Sequence, residues 1–149
     1  MKPEIRAAWP EEAAACAEIH IRSMRAMTYL PQDLHTDEET HEWMRQVIFA
    51  GQEVLVAESE GRIAAFLSLD GDLVTNLYVR ADVRSRGFGA ALLTAAKAQR
   101  PDGLRLWVFE PNAGAIRFYE REGFRTLERT DGQGNDEKVP DRLMGWPAT

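Results

Sequence analysis

The sequence predicts a single α/β (α+β) domain spanning residues 1–149, and three observations carry that expectation. Strand-like and helix-like segments follow one another with turn residues between them, so a sheet flanked by helices buries the apolar faces of both. The chain has 149 residues, enough for one hydrophobic core and short for two. No internal repeat or linker divides it.

From the N-terminus, EIRAA (4–8) reads as a short first strand. Pro10 suits a first helical position, and Glu11 and Glu12 suit a first turn, where the helix dipole favours negative charge. That helix extends to about Met27, with Ala15, Ile19 and Met24 among its apolar positions, and Tyr29-Leu30-Pro31 breaks it. Thr36 and Glu39 stand at capping-box spacing and open a second helix that carries Trp43, Val47 and Ile48 and stops at Gly51. Three strands follow at 53–59, 62–69 and 73–79, the first two joined by the hairpin-like spacing of Glu60-Gly61. A glycine loop leads to a helix over 90–98, which Pro101-Asp102-Gly103 ends. LRLWVF (104–109) is strand-like, Asn112 to Glu122 reads as a helix stopped by Gly123, and two last strands fall at 124–130 and 142–146. The polar stretch from Gly132 to Pro140 is expected to be a mobile loop.

Composition narrows the function. Formal net charge is −6, which argues against sequence-independent nucleic-acid binding, because affinity for phosphate backbones comes from clustered positive charge. No apolar run approaches the roughly 18 residues of a membrane span, and MKPEIRAAWPEE lacks the apolar stretch of a secretory signal, so no membrane partner and a cytoplasmic location are expected. Cys16 is the only cysteine and reads as a small apolar packing residue.

Against that acidic background, RSRGFG (84–89) concentrates two arginines and two glycines between a strand and a helix. The N–H groups near Gly87 to Ala90 would have no partner within the helix, and the dipole adds roughly half a positive charge there. Glycine lets an oxyanion approach such groups, and Arg84 and Arg86 add charge-assisted bonds, so a pyrophosphate fits. A dinucleotide fingerprint needs a third glycine, which the continuation Gly87-Phe88-Gly89-Ala-Ala-Leu lacks, although Glu110 lies near where a ribose-binding acid would stand.

A second stretch, NAGAIRFYEREGF (112–124), starts at a natural N-cap and places Ala115, Ile116 and Tyr119 on one helical face. Arg84-x-x-Gly87-x-Gly89, followed by Asn112-x-x-Ala115-Ile116-x-Phe118-Tyr119-x-x-x-Gly123-Phe124, resembles the GNAT superfamily of acetyl-CoA-dependent N-acetyltransferases. The order of elements matches as well, and the resemblance is densest between residues 73 and 124.

The resemblance implies a mixed, twisted sheet of six to seven strands with helices on both faces and the fourth and fifth strands splayed. It implies acetyl-CoA as acetyl donor, with the pyrophosphate held by Arg84, Ser85, Arg86, Gly87, Phe88, Gly89 and Ala90. Pantetheine would enter the splay like an added strand beside Leu77, Tyr78 and Val79, with Asn112 touching the cofactor arm and Ala115 leaving it room. Tyr119 would be the general acid to the departing thiolate, after direct attack by an amine acceptor, read as a small molecule. Many relatives place a carboxylate on the strand before the glycine loop, but Asn76 stands here and cannot act as a base, leaving Glu58, Asp70, Asp72, Glu42 or a water chain. Intact Tyr119 favours an enzyme over the alternative, a non-catalytic acyl-CoA sensor on the same fold.

Met27, Tyr29 and Asn76 are expected to meet the acceptor, with Met24 and Trp43 nearby. No metal is expected: His35 and His41 lack a ligand spacing, and His20 reads as structural. A homodimer is compatible with the resemblance, though no residue indicates one.

Overall fold

A computed structural model describes residues 3–147. Seven strands form one sheet in the order β1 (Glu4–Ala7), β2 (Glu53–Ser59), β3 (Arg62–Asp70), β4 (Leu73–Val79), β5 (Leu104–Phe109), β7 (Asp141–Trp146) and β6 (Arg125–Thr130). Tight turns make β2, β3 and β4 antiparallel neighbours. The helix α3 (Phe88–Gln99) carries the chain from β4 across the sheet, so β5 pairs with β4 in parallel. A further helix, α4 (Ala113–Arg121), leads to β6, and β7 returns to pair antiparallel with both β5 and β6.

Helices cover both faces, which is why β3 is buried almost continuously rather than at alternate positions. On one face α3 and α4 pack Leu92, Leu93, Ala96 and Ile116 against Leu67, Leu69, Leu106 and Met144. On the other, α1 (Ala13–Ala26) and α2 (Asp37–Trp43) with its continuation pack Cys16, Ala17, Ile19, Met44 and Ile48 against Val56 and Phe66. Burial pushes the Cys16 thiol up to about 12, so it packs as an apolar residue. Ala15, expected on the apolar stripe, lies outside it because Ala13, Cys16 and Ala17 take the sheet-facing positions.

The second helix begins as expected. Thr36 Oγ1 accepts the Glu39 N–H at 3.0 Å, and Glu39 Oε1 accepts the Thr36 N–H at 2.8 Å. It then opens into a π-helical segment over Met44–Phe49. The wider turn buries Met44 and Ile48 and rotates Val47 outward, where it is 48% exposed.

The site is prepared by a parting within the sheet. Only Leu73↔Arg105 and Val74↔Leu106 pair across β4 and β5, and beyond them the two strands separate. Just there, the register against β3 passes from Leu69↔Val74 to Ser68↔Asn76, leaving Thr75 as a bulge. One extra residue bends the strand and reverses its alternation. Val74, Leu77 and Val79 therefore belong to the α3–α4 side, while Tyr78 packs on the α1–α2 side.

Beyond the gap, β5 and β7 are tied by a buried arginine. Arg142 donates Nε to Glu110 Oε1 at 3.0 Å, Nη2 to Glu110 Oε2 at 2.5 Å and Nη1 to Thr126 Oγ1 at 3.0 Å. These bonds hold the Glu110 carboxyl below its usual range. They also occupy the acid that a ribose would have needed. A depressed folded pKa means stability present above the unfolded value of about 4.3 and lost as pH falls through the folded one. Arg142→Met should cost about 2–3 kcal/mol in urea unfolding at pH 7, less than a fully buried pair because Glu110 is partly exposed. Its stability curve should meet that of the wild type in acid, and a gap that stays constant from neutral to acid pH would assign the loss to packing instead.

Candidate active site

The glycine loop is built to leave donors free. After one 3₁₀ turn at Ala81–Val83, Ser85 (φ 65°) and Gly87 (φ 87°) take left-handed conformations. Gly87 is the N-cap of α3, and no side chain caps that helix. The first helical bond runs from Ala91 N–H to Gly87 O at 3.0 Å, so the N–H groups of Phe88, Gly89 and Ala90 have no helical acceptor. Gly87 is needed for its backbone conformation, whereas at Gly89 a Cβ would only reach ordinary contact, 3.4 Å from Phe118 Cζ of α4. Phe88 is buried and anchors the turn, while Arg84, Ser85 and Arg86 are exposed.

Among the described residues Arg84 and Arg86 make no ion pair, unlike Arg80, which is occupied by Asp82 (2.6 Å) and Ile63 O (2.8 Å). Open N–H groups beside two unpaired guanidiniums are a donor set that fits a pyrophosphate.

The gap lies next to this loop. Arg80 N–H bonds Ala64 O toward β3 at 2.7 Å, so by the alternation of the ladder the main-chain groups of Leu77 and Val79 face away from β3, into the parting. Across it, Asn112 caps α4 by accepting the Ala115 N–H at 3.2 Å, and its amide nitrogen has no partner among the described residues. Ala115 is half-buried, and Tyr119 is 9% exposed, its ring against Phe118 and Phe124. Burial pushes the Tyr119 hydroxyl above its ordinary 10, with a lesser contribution from Tyr78.

On the α1–α2 side the gap meets a cleft of about 440 Å³. Its walls include Trp43, Tyr78, Trp107 and Phe109, with Met24, His20, His35 and Asn76. Burial, with a smaller push from His35, lowers the His20 imidazole to about 4, so the ring is neutral between Trp43 and Tyr78. Asn76 is buried and spends its amide on Ser68 Oγ at 2.9 Å. Burial likewise raises the Tyr78 hydroxyl to about 12, helped by the charge of Glu137. Met27 ends α1 and Tyr29 packs edge-on to Phe109 at 6.1 Å, and neither is among the cleft's lining residues. His41 instead meets Glu18 at 3.3 Å.

None of the carboxylates weighed as bases reaches the cleft. Glu58 stands 3.5 Å from Arg6, Asp72 clasps Arg105 at 3.1 Å, and Asp70 and Glu42 are exposed elsewhere. The acids that do line it are Glu39, Asp136, Glu137 and Asp141. Two of them come from the segment expected to be mobile, which is instead fastened by its own side chains. Asn135 donates to Val139 O at 2.8 Å and accepts from Val139 N–H at 3.2 Å, and Lys138 reaches Gln133 O at 2.7 Å. Asn135, a turn-forming residue four positions before the carbonyl it binds, was the available signal for that order. Among the described residues, no helix is long and apolar enough to cross a membrane, and no group of three His, Cys, Asp or Glu is arranged to hold a metal.

Residues 50–126 match a family model described as an acetyltransferase (GNAT) domain. The chain is 30% identical over 106 residues to the peptidyl-lysine N-acetyltransferase YiaC of Escherichia coli, a match covering 70% of each protein. Among solved structures, apo-form YjaB of Escherichia coli superposes with a TM-score of 0.82 at 25% identity over 100% of both chains. The yncA structure from Salmonella typhimurium, solved with its cofactor acetyl-CoA, superposes at 0.74 with 21% identity over 100% of this chain and 95% of that one, a likeness of fold.

Proposed function

The chain belongs to the GNAT superfamily of acetyltransferases, and from that premise we propose that it transfers the acetyl group of acetyl-CoA to the primary amine of a small molecule, with Tyr119 as general acid. The observation that carries this reading is the parting of β4 and β5 after Val74, beside a helix start whose N–H groups are left open. Acetyl-CoA supplies an activated acetyl carbonyl.

The protein's own groups do the rest. Arg84, Arg86 and the N–H groups of Phe88 to Ala90 hold the diphosphate, and the main chain of Leu77 and Val79 holds the pantetheine arm. An N–H near Leu77 receives the negative charge that develops on the carbonyl oxygen, at a dipole already oriented by the sheet. The acceptor arrives as an ammonium and loses one proton to water through the open cleft. Its neutral nitrogen then forms the C–N bond, a second proton leaves that nitrogen, and the C–S bond breaks. Tyr119 gives the thiolate its proton and recovers one from solvent. The sum is ammonium plus thioester giving amide, thiol and one proton.

A hydroxyl raised by burial stays protonated at neutral pH, so the donor is always loaded. The thiolate is formed in the same desolvated gap, which raises its proton affinity too and keeps the transfer from becoming steeply uphill.

The test is a panel of amines incubated with acetyl-CoA, following free thiol and the mass of the product. Thiol release that depends on an amine, with a product heavier by one acetyl group, supports the enzyme. Tight acetyl-CoA binding with no release from any amine would make the protein a sensor, and absence of binding would remove both.

A further inference from the structure

The charge around the cleft is one-sided: among its described lining residues are Glu39, Asp136, Glu137 and Asp141, and no lysine or arginine. These acids differ in what occupies them. Glu39 is spent on the Thr36 N–H, and Asp141 accepts from the Thr130 hydroxyl and from Asn135 Nδ2 at 3.3 Å. Asp136 is exposed. Glu137 alone is half-buried in the cleft with no hydrogen-bond or ion-pair partner among the described residues. The main chain on either side of it is held, because Asn135 binds both the N–H and the carbonyl of Val139.

A partly buried carboxylate without a partner, facing a cleft, is free to pair with a cation that a ligand brings. The reacting nitrogen cannot be that cation, since it must be neutral when it attacks. The positive charge that Glu137 meets therefore sits elsewhere on the acceptor and persists through the reaction. Aromatic walls from Trp43, Tyr78, Trp107 and Phe109 suit a methylene chain and the face-on approach of an ammonium. A volume of about 440 Å³ lies within the range of small-molecule sites.

Resting on the acetyltransferase reading, we propose that the acceptor is an aliphatic diamine or polyamine: one nitrogen is acetylated at the β4–β5 gap while another, still an ammonium, is held by Glu137, with Asn135 as the residue that positions Glu137. Charge complementarity chooses this over a neutral amine. The fixed loop on one side and the α1–α2 connection on the other favour a slender free molecule over a lysine within a peptide.

The experiment compares spermidine and putrescine with butylamine and with a lysine-containing basic peptide, for wild type, Glu137→Gln and Asn135→Ala. Wild type is expected to prefer the polyamines over butylamine by about tenfold or more in kcat/KM. Glu137→Gln should raise the spermidine KM about ten- to thirtyfold with kcat little changed and butylamine unaffected. Asn135→Ala should move KM the same way by less. Unchanged calorimetric binding of acetyl-CoA certifies that each variant is folded. Equal use of butylamine, a preference that survives Glu137→Gln, or better turnover of the peptide would each overturn the inference. Should no amine be acetylated at all, the transferase reading fails by itself, and calorimetric binding of spermidine then decides this one: binding abolished in Glu137→Gln supports the cation site, and no binding by the wild type overturns it.

Discussion

Replacing Tyr119 with phenylalanine is expected to lower kcat about 10²–10⁴-fold while leaving acetyl-CoA affinity nearly unchanged, the loss typical of a missing general acid. The ring is what packs. It lies 5.3 Å from Phe118 and 5.6 Å from Phe124, and phenylalanine keeps both contacts. The hydroxyl makes no hydrogen bond to a described residue, so its removal leaves no orphaned partner and relieves a poorly solvated polar group. Thermal stability should therefore hold or rise slightly as activity falls, a combination that a purely structural tyrosine would not give. The pH profile supplies a second check. Burial raises this hydroxyl, so the wild-type kcat should show no fall assignable to Tyr119 below pH about 10. A variant retaining nearly full kcat would mean that solvent protonates the thiolate and that Tyr119 only shapes the gap.

The fold was legible wherever a local rule set the answer. Thr36 and Glu39 cap their helix reciprocally because the capping box is decided within four residues. The strand segments were readable from their apolar runs, and the parting of β4 from β5 followed from the resemblance carried by residues 84–124. Two features were not legible. The π-helical turn at Met44–Phe49 depends on how Met44 and Ile48 seat on Val56 and Phe66, a tertiary demand that leaves no mark in the periodicity and turns Val47 outward. The acids of the cleft depend on where β7 enters the sheet. By inserting between β5 and β6, it brings the 132–140 loop over the end of β5, and Asp136 and Glu137 arrive beside Tyr78 from nearly sixty residues away in sequence. Sequence reasoning looked for a base near the glycine loop and weighed Asp72 and Glu58, whose arginine partners belong to other strands.

The Arg84→Ala/Arg86→Ala double variant should bind acetyl-CoA about 10²–10³-fold more weakly, each charge-assisted bond to phosphate contributing roughly 1.5–3 kcal/mol before screening in an exposed loop. Both side chains are exposed and free of ion pairs among the described residues, so the fold does not depend on them and the melting temperature should not move. Arg80→Ala is the internal contrast. That arginine holds Asp82 and the carbonyl of Ile63, so its loss should lower stability and affect binding only through the shape of the turn. Ionic strength separates charge from geometry: wild-type affinity should fall as salt rises, and the double variant should respond less, because fewer fixed charges remain to be screened. Residual binding is expected in the variant, since the N–H groups of Phe88, Gly89 and Ala90 and the left-handed Gly87 that aims them are untouched. Affinity equal to the wild type would leave those N–H groups as the whole anion site and reduce the two arginines to solvated surface. Loss of affinity that salt does not diminish would point instead to a loop whose conformation the arginines maintain, and a crystal structure of the variant loop would then be the decisive comparison.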